Sequence, residues 1–195
     1  ECVVDRYVGL RIGWLAGPLL VLGLLACGGD EQLVEPEVSD VSIELTSSAF
    51  SEGVTIPAKY TCDGEDVSPD LKWGAVPEET KSIALIADDP DAPGGTWVHW
   101  VIYGLSAVTA ELPERVPKEE TLSTGARQGT NDFKRTGYGG PCPPPGHGAH
   151  RYFFKLYALD VEIGLGAKAT KADLLSEMDG HILAQGQLMG RYERK

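Results

Sequence analysis

The stretch "SIALIADDPDAPGGTWVHWVIYGL", residues 82–105, decides how this chain folds. It opens on a continuous apolar run, 82–88, the pattern of a strand buried inside a sheet. Three aspartates, two prolines and two glycines then break the run, and a second apolar run follows from Thr96 to Leu105. Two strands joined by a rigid acidic turn account for this pattern. On a regular second strand Trp97, His99, Val101 and Tyr103 share one face, and Val98, Trp100 and Ile102 share the other. Both faces are apolar, so this strand is expected to be covered on both sides. The acids, the turn and the His99 imidazole are either an acidic surface loop or one wall of a pocket.

Other segments extend the β reading. "RYFFKLYALD" (151–160) is a third strong strand, "VSIEL" (41–45) alternates, and "GQLMGRYER" closes the chain as a last strand. "TKADLLSEMDGHILAQ" (170–185) predicts a helix, with Thr170 as N-cap and Asp173 three residues on. Its apolar stripe is Leu174, Leu175, Met178, Ile182 and Leu183, and His181 on it is expected to pack rather than bind. With 24 glycines and 13 prolines, turns and short strands are favoured over long helices. Residues 106–149 are long and irregular, and end in the unusual "GYGGPCPPPGHGAH" (137–150), which argues for function. The fold class is mainly β: a two-sheet antiparallel sandwich with Greek-key links and one helix near the C-terminus.

The 195-residue chain carries a net charge of −12, and Lys134 and Arg135 are too few to make a basic stripe, so no nucleic-acid partner is expected. Arg6 and Arg11 lead into "WLAGPLLVLGLLACGGD", a basic start, an apolar stretch and a small-residue end. That is the layout of a secretory signal, short for a membrane-spanning helix. "LLAC" (24–27) resembles a bacterial lipobox, which implies a signal peptide over 1–26 and lipid on Cys27. Residues 27–40 hold Asp30, Glu31, Glu35, Glu37 and Asp40 with no base, a self-repelling tether. The domain is then 41–195. The reading is a lipid-anchored protein of the cell envelope, on the periplasmic or cell-surface side. Cys62 and Cys142 remain as an even pair; they are either a disulfide or two separate thiols near a site.

Three long motifs, "CDGEDVSPDLKW", "VPEETKSIALIADDPDAPGGTWVHW" and "GYGGPCPPPGHGAHRYFFKLYALD", resemble the phosphatidylethanolamine-binding protein family, in particular its bacterial Raf-kinase-inhibitor-like branch. "GHILAQGQLMGRYER" fits the same branch, so the resemblance covers 41–194. It implies a two-sheet β fold and a small pocket for an anion such as a phosphate head group. The implied pocket residues are Asp89, Asp91, His99, His150 and Tyr152, with a rim over Pro141–Pro145 that includes Pro141 and Pro143. It also implies cis bonds among Pro90, Pro93 and the 143–145 run.

The residues themselves argue the same way. An anion site needs fixed N–H and O–H donors. His150 and Tyr152, two apart on a strand, share a face. Glycines 137, 139 and 140 would leave backbone N–H groups open to cradle oxygens. Asp89 and Asp91 make sense if each orients or charges a histidine. Such a site binds phosphate best while protonated, so affinity should weaken as pH rises. Arg151 points opposite to His150 and reads as a structural ion-pair partner, and His147 on its Gly-flanked loop as merely exposed.

The favoured function is therefore a membrane-tethered binding protein for a small anionic or phosphorylated ligand, acting on an envelope partner. It is read as not an enzyme, and no cofactor or metal is expected. One alternative is a divalent-ion hydrolase using the Asp/His cluster, or Cys142 near His150 as nucleophile; no HExxH or G-x-S-x-G motif supports it. The other is a protease-inhibitor or protein-interaction module using the loop 137–148.

Overall fold

The computed structural model describes residues 42–195. The signal segment, Cys27 and the acidic tether lie outside these residues. Two antiparallel sheets form the body. The larger has the order β6-β4-β3-β7-β8, with β3 Ser82–Asp89, β4 Trp97–Ser106, β6 Arg127–Gln128, β7 His150–Leu159 and β8 Ile182–Tyr192. The smaller is β1 Leu45–Thr46, β2 Leu71–Trp73 and β5 Glu111–Leu112, in the order β1-β2-β5. The chain is mainly β, as its alternation predicts.

β3 is the centre, paired to β4 on one side and β7 on the other, with every residue buried. Its odd-numbered residues Ile83, Leu85 and Ala87 pack with Trp100, Ile102, Phe154 and Leu156 against Leu45, Leu71 and Trp73 of the smaller sheet. Its even-numbered residues Ala84 and Ile86 pack with Val101, Tyr103 and Tyr157 against Leu174, Leu175 and Met178 of the helix. Apolar burial on both faces is the main force holding the layers together. The two adjacent acids at the end of β3 consequently point to opposite layers. Asp88 faces the helix side, where its carboxylate is held by Lys171 Nζ at 2.6 Å and Lys155 Nζ at 3.5 Å. Asp89 faces the other layer, where the candidate site lies.

Helix α1 runs Lys171–Met178, shorter than the 170–185 expected. Its start is as read: Thr170 accepts from Asp173 N, and the Asp173 carboxylate accepts from Thr170 N, a reciprocal capping box. It stops at Asp179 because Gly180 turns the chain at φ +75° and residues from Ile182 enter β8. Ile182 and Leu183 fit a helical stripe and a strand equally. The register of β8 with β7, from Leu159↔Ile182 to His150↔Tyr192, decides for the strand. His181 sits in the turn, exposed, with Nδ1 2.8 Å from Asp160. Within the expected strand 41–45, the described residues 42–45 do not form one strand either. Ile43 N donates to Gln185 O on β8, whereas Leu45 pairs with Trp73, so the chain steps here from one sheet to the other.

The irregular segment 106–149 is ordered by buried polar anchors. Gln128, fully buried, accepts from Trp100 Nε1 at 2.8 Å and donates to the Pro117 and Glu119 carbonyls, both at 2.7 Å. Cys62 and Cys142 form a disulfide with a Cα–Cα separation of 5.4 Å, which settles the alternative of free thiols. No peptide bond among the described residues is cis, contrary to the expectation at Pro90, Pro93 and 143–145.

Candidate functional site

The end of β3 and the starts of β4 and β7 meet at one end of the larger sheet. Around them lies a cavity of about 190 Å³ lined by Asp89, Ala92, Pro93, Trp97, His99, Phe133, Cys142, Pro143, Pro144 and His150. Two larger clefts, about 550 Å³ beside Ser42–Glu52 and about 240 Å³ beside the start of α1, contain no histidine.

His99 reaches this cavity through a bulge. Ala87 pairs with Trp100 and Asp88 with Val98, which leaves His99 as an extra residue on β4. The expected regular alternation with Val101 and Tyr103 therefore fails. Those two face the helix, whereas the His99 ring packs edge-on against Tyr152 at 5.1 Å and Phe133 at 5.3 Å. Its Nδ1 lies 2.6 Å from the Gly139 carbonyl, so Nδ1 carries the proton. Burial pushes the His99 pKa below the ordinary value, with the Gly139 carbonyl and the Asp89 charge pulling the other way. A neutral His99 leaves Nε2 as an acceptor.

His150 Nδ1 lies 2.8 Å from Asp89 Oδ2, and both side chains are almost fully buried. The carboxylate holds the proton on Nδ1 and frees Nε2 to face a partner. That partner is the Nδ1 of His147, 2.9 Å away. His147 is exposed, as read, but it also belongs to the site. Its spacing of three from His150, across a Gly turn, was the available signal.

Tyr152 lies beneath, stacked on His150 at 6.5 Å. Its hydroxyl is buried and makes no hydrogen bond of regular geometry among the described residues, though the Asp89 carboxylate is close enough to act on it as an acceptor. Burial first, and then the charge and acceptor oxygens of Asp89, raise its pKa well above the ordinary phenol value, so it stays a donor.

The other expected residues fall elsewhere. The Asp91 carboxylate bonds to Arg151 rather than to a histidine, accepting from Nε at 2.9 Å, Nη2 at 2.7 Å and the backbone N at 2.9 Å. These bonds bring its pKa down to about 2. The ion-pair role read for Arg151 is observed. Pro143 and Pro144 line the cavity; Pro141 does not, and its carbonyl accepts from Cys62 N. Gly139 and Gly140 do not offer a cradle. Gly139 N donates to His99 O, and Gly140 N donates to the Asp66 carboxylate at 2.6 Å. A Cβ on Gly140 would lie 2.4 Å from Tyr60 O, so glycine serves close chain packing here. Trp97 and Phe133, packed edge to face at 5.4 Å, supply an aromatic wall; for Phe133, far off in sequence, no local signal existed.

Residues 46–193 match the family described as phosphatidylethanolamine-binding protein. The chain belongs to that family. A UPF0098 protein of Aquifex aeolicus is 54% identical over 153 residues, covering 78% of this chain and 89% of the relative. A solved phosphatidylethanolamine-binding protein homologue from Chlamydia trachomatis is 45% identical, with a TM-score of 0.72 over 79% of this chain and 99% of that one. E. coli YbcL, described as a member of the mammalian PEBP family, is 34% identical, with a TM-score of 0.74 over 78% and 99%. Among the described residues no three His, Cys, Asp or Glu side chains are grouped to hold a metal ion.

Proposed function

We propose that this phosphatidylethanolamine-binding family member binds a small oxyanion carrying its own hydrogen-bond donor, such as hydrogen phosphate or a phosphoethanolamine-like head group. The observation that carries the reading is the buried Asp89–His150 pair on the wall of a mainly apolar cavity. With its Nδ1–H held by Asp89, His150 turns Nε2 toward a ligand as the hydrogen-bonding atom. The Tyr152 hydroxyl, with no bond of regular geometry in the protein and Asp89 beside it, is a second donor. Neutral His99 offers an acceptor, which suits a ligand O–H or N–H. The cavity has room for about six waters, enough for a phosphate and a short substituent. The family name supports a phospholipid head group as the ligand type.

Calorimetric titration with inorganic phosphate and O-phosphoethanolamine, with chelator at pH 6 and pH 8, tests this. Binding is expected to survive the chelator, weaken at pH 8 and vanish in His150→Ala. No heat from either anion, or binding only with metal restored, would refute it.

The proposal includes a location. Lipid on Cys27 and the acidic tether would hold the domain at a cell-envelope membrane, near head groups and an envelope partner. Metabolic labelling with palmitate should tag the chain and fail in Cys27→Ser; equal labelling of both would remove the anchor from the proposal.

A further inference from the structure

His147 stands over the pocket on an exposed loop, and its contact with His150 has a particular proton balance. The facing nitrogens, His147 Nδ1 and His150 Nε2, are 2.9 Å apart, with ring centroids at 5.2 Å. Asp89 keeps a proton on the far nitrogen of His150 in either charge state. Exactly one proton fits between the facing nitrogens. In the neutral pair His147 donates and His150 accepts; once the pair gains a proton, His150 donates. Two protons there would set N–H against N–H and drive the rings apart.

We propose that the His147–His150 contact is a two-imidazole clamp, opened by an oxyanion of the phosphate class that accepts one N–H bond from each ring. The inference rests on the anion-binding reading of the pocket and adds His147 to it as a second imidazole donor. An entering oxygen replaces one N–H···N bond by two N–H···O bonds to a charged acceptor, the stronger kind. The loop has room to yield. Gly146 and Gly148 flank His147 at φ +75° and +87°, and a Cβ on either would meet nothing within 4 Å. The loop is held by His147 N to Pro144 O at 3.2 Å and Gly146 N to Arg194 O at 3.3 Å.

The charged and titratable surroundings of the pair are few. Asp89 on β3 bonds to His150, and Asp91 in the following turn is engaged by Arg151. His99 on β4 and Tyr152 on β7 lie inside the site. On β8 and the tail, Tyr192 and Arg194 both bond to Asp63. Asp89 is thus the acid that touches the clamp. Bound phosphate needs a proton on each facing nitrogen, one more than the free contact holds between them.

The test uses the full chain labelled with ¹⁵N-histidine and titrated with inorganic phosphate in the presence of chelator. The free protein is expected to show one N–H and one bare nitrogen between His147 Nδ1 and His150 Nε2, and phosphate to bring both to N–H shifts. His147→Ala should bind phosphate about 10- to 100-fold more weakly, the loss of one charge-assisted bond. It should leave the His150 Nδ1–H signal unchanged, because Asp89 sets it. His147→Asn, whose amide nitrogen takes the place of Nδ1, should recover much of the affinity. Wild-type affinity in His147→Ala alongside lost binding in His150→Ala would overturn the clamp and leave the pocket reading standing. No phosphate binding by the wild type would overturn both.

Discussion

Replacing both cysteines, Cys62→Ala with Cys142→Ala, removes a cross-link spanning 80 residues. Closing a loop of that length takes about 15 cal/mol/K from the unfolded chain, or about 4.5 kcal/mol at 25 °C. Cys62 is exposed and Cys142 half-buried, so alanine costs little packing and the cross-link dominates. For a domain of about 150 residues this corresponds to a melting point roughly 10–18 °C lower. The assay is thermal melting of oxidised wild type, wild type held in excess dithiol, and the double variant. The last two should melt together, well below the first. Phosphate binding should weaken in both, because Cys142 is part of the cavity wall and Cys62 N holds the Pro141 carbonyl at the start of the proline loop. A double variant melting within about 3 °C of oxidised wild type would refute the loop-entropy reasoning. Reaction of Cys62 and Cys142 themselves with a thiol reagent in unreduced wild type would refute the pairing, Cys2 and Cys27 being the chain's other two thiols.

The Asp91 carboxyl, with its pKa of about 2 against an ordinary 3.8, makes Asp91→Asn a test of acid behaviour. The folded-state value is the lower one, so the stabilisation is complete above about pH 4 and is lost as pH falls through 2. The melting-point gap between wild type and Asp91→Asn should be open at pH 6 and close towards pH 2; a constant gap would contradict the Arg151 pairing. Tyr152→Phe removes a buried hydroxyl with no bond of regular geometry in the protein, so the melting point should change little while phosphate affinity drops about 5- to 10-fold. A fall in melting point would show that the hydroxyl is bonded within the protein. Gly140→Ala should cost about 2–4 kcal/mol by denaturant unfolding, because the added methyl meets Tyr60 O and Thr61 Cα. Gly94→Ala, with open space around it, is the control and should stay within about 0.5 kcal/mol.

Much of this protein is settled by local rules acting on the sequence itself. The apolar run 82–87 makes a strand that must be covered on both faces, and Thr170 with Asp173 starts a helix through bonds three residues apart. The chain's membership of its family, and the choice of Asp89, His99, His150 and Tyr152 as neighbours, were legible from motifs on two strands whose ends must meet. Tertiary structure decided what depends on register or on a distant partner. The bulge that aims His99 into the cavity exists because β3 and β4 shift register between Ala87 and Asp88. Helix α1 ends at Met178 because the ladder between β7 and β8 claims the next residues. Asp91 is taken by Arg151, and the Gly139 and Gly140 N–H groups by His99 and Asp66. Residue types set which bonds each group can form, but where several partners are chemically equal, only the folded distances choose among them.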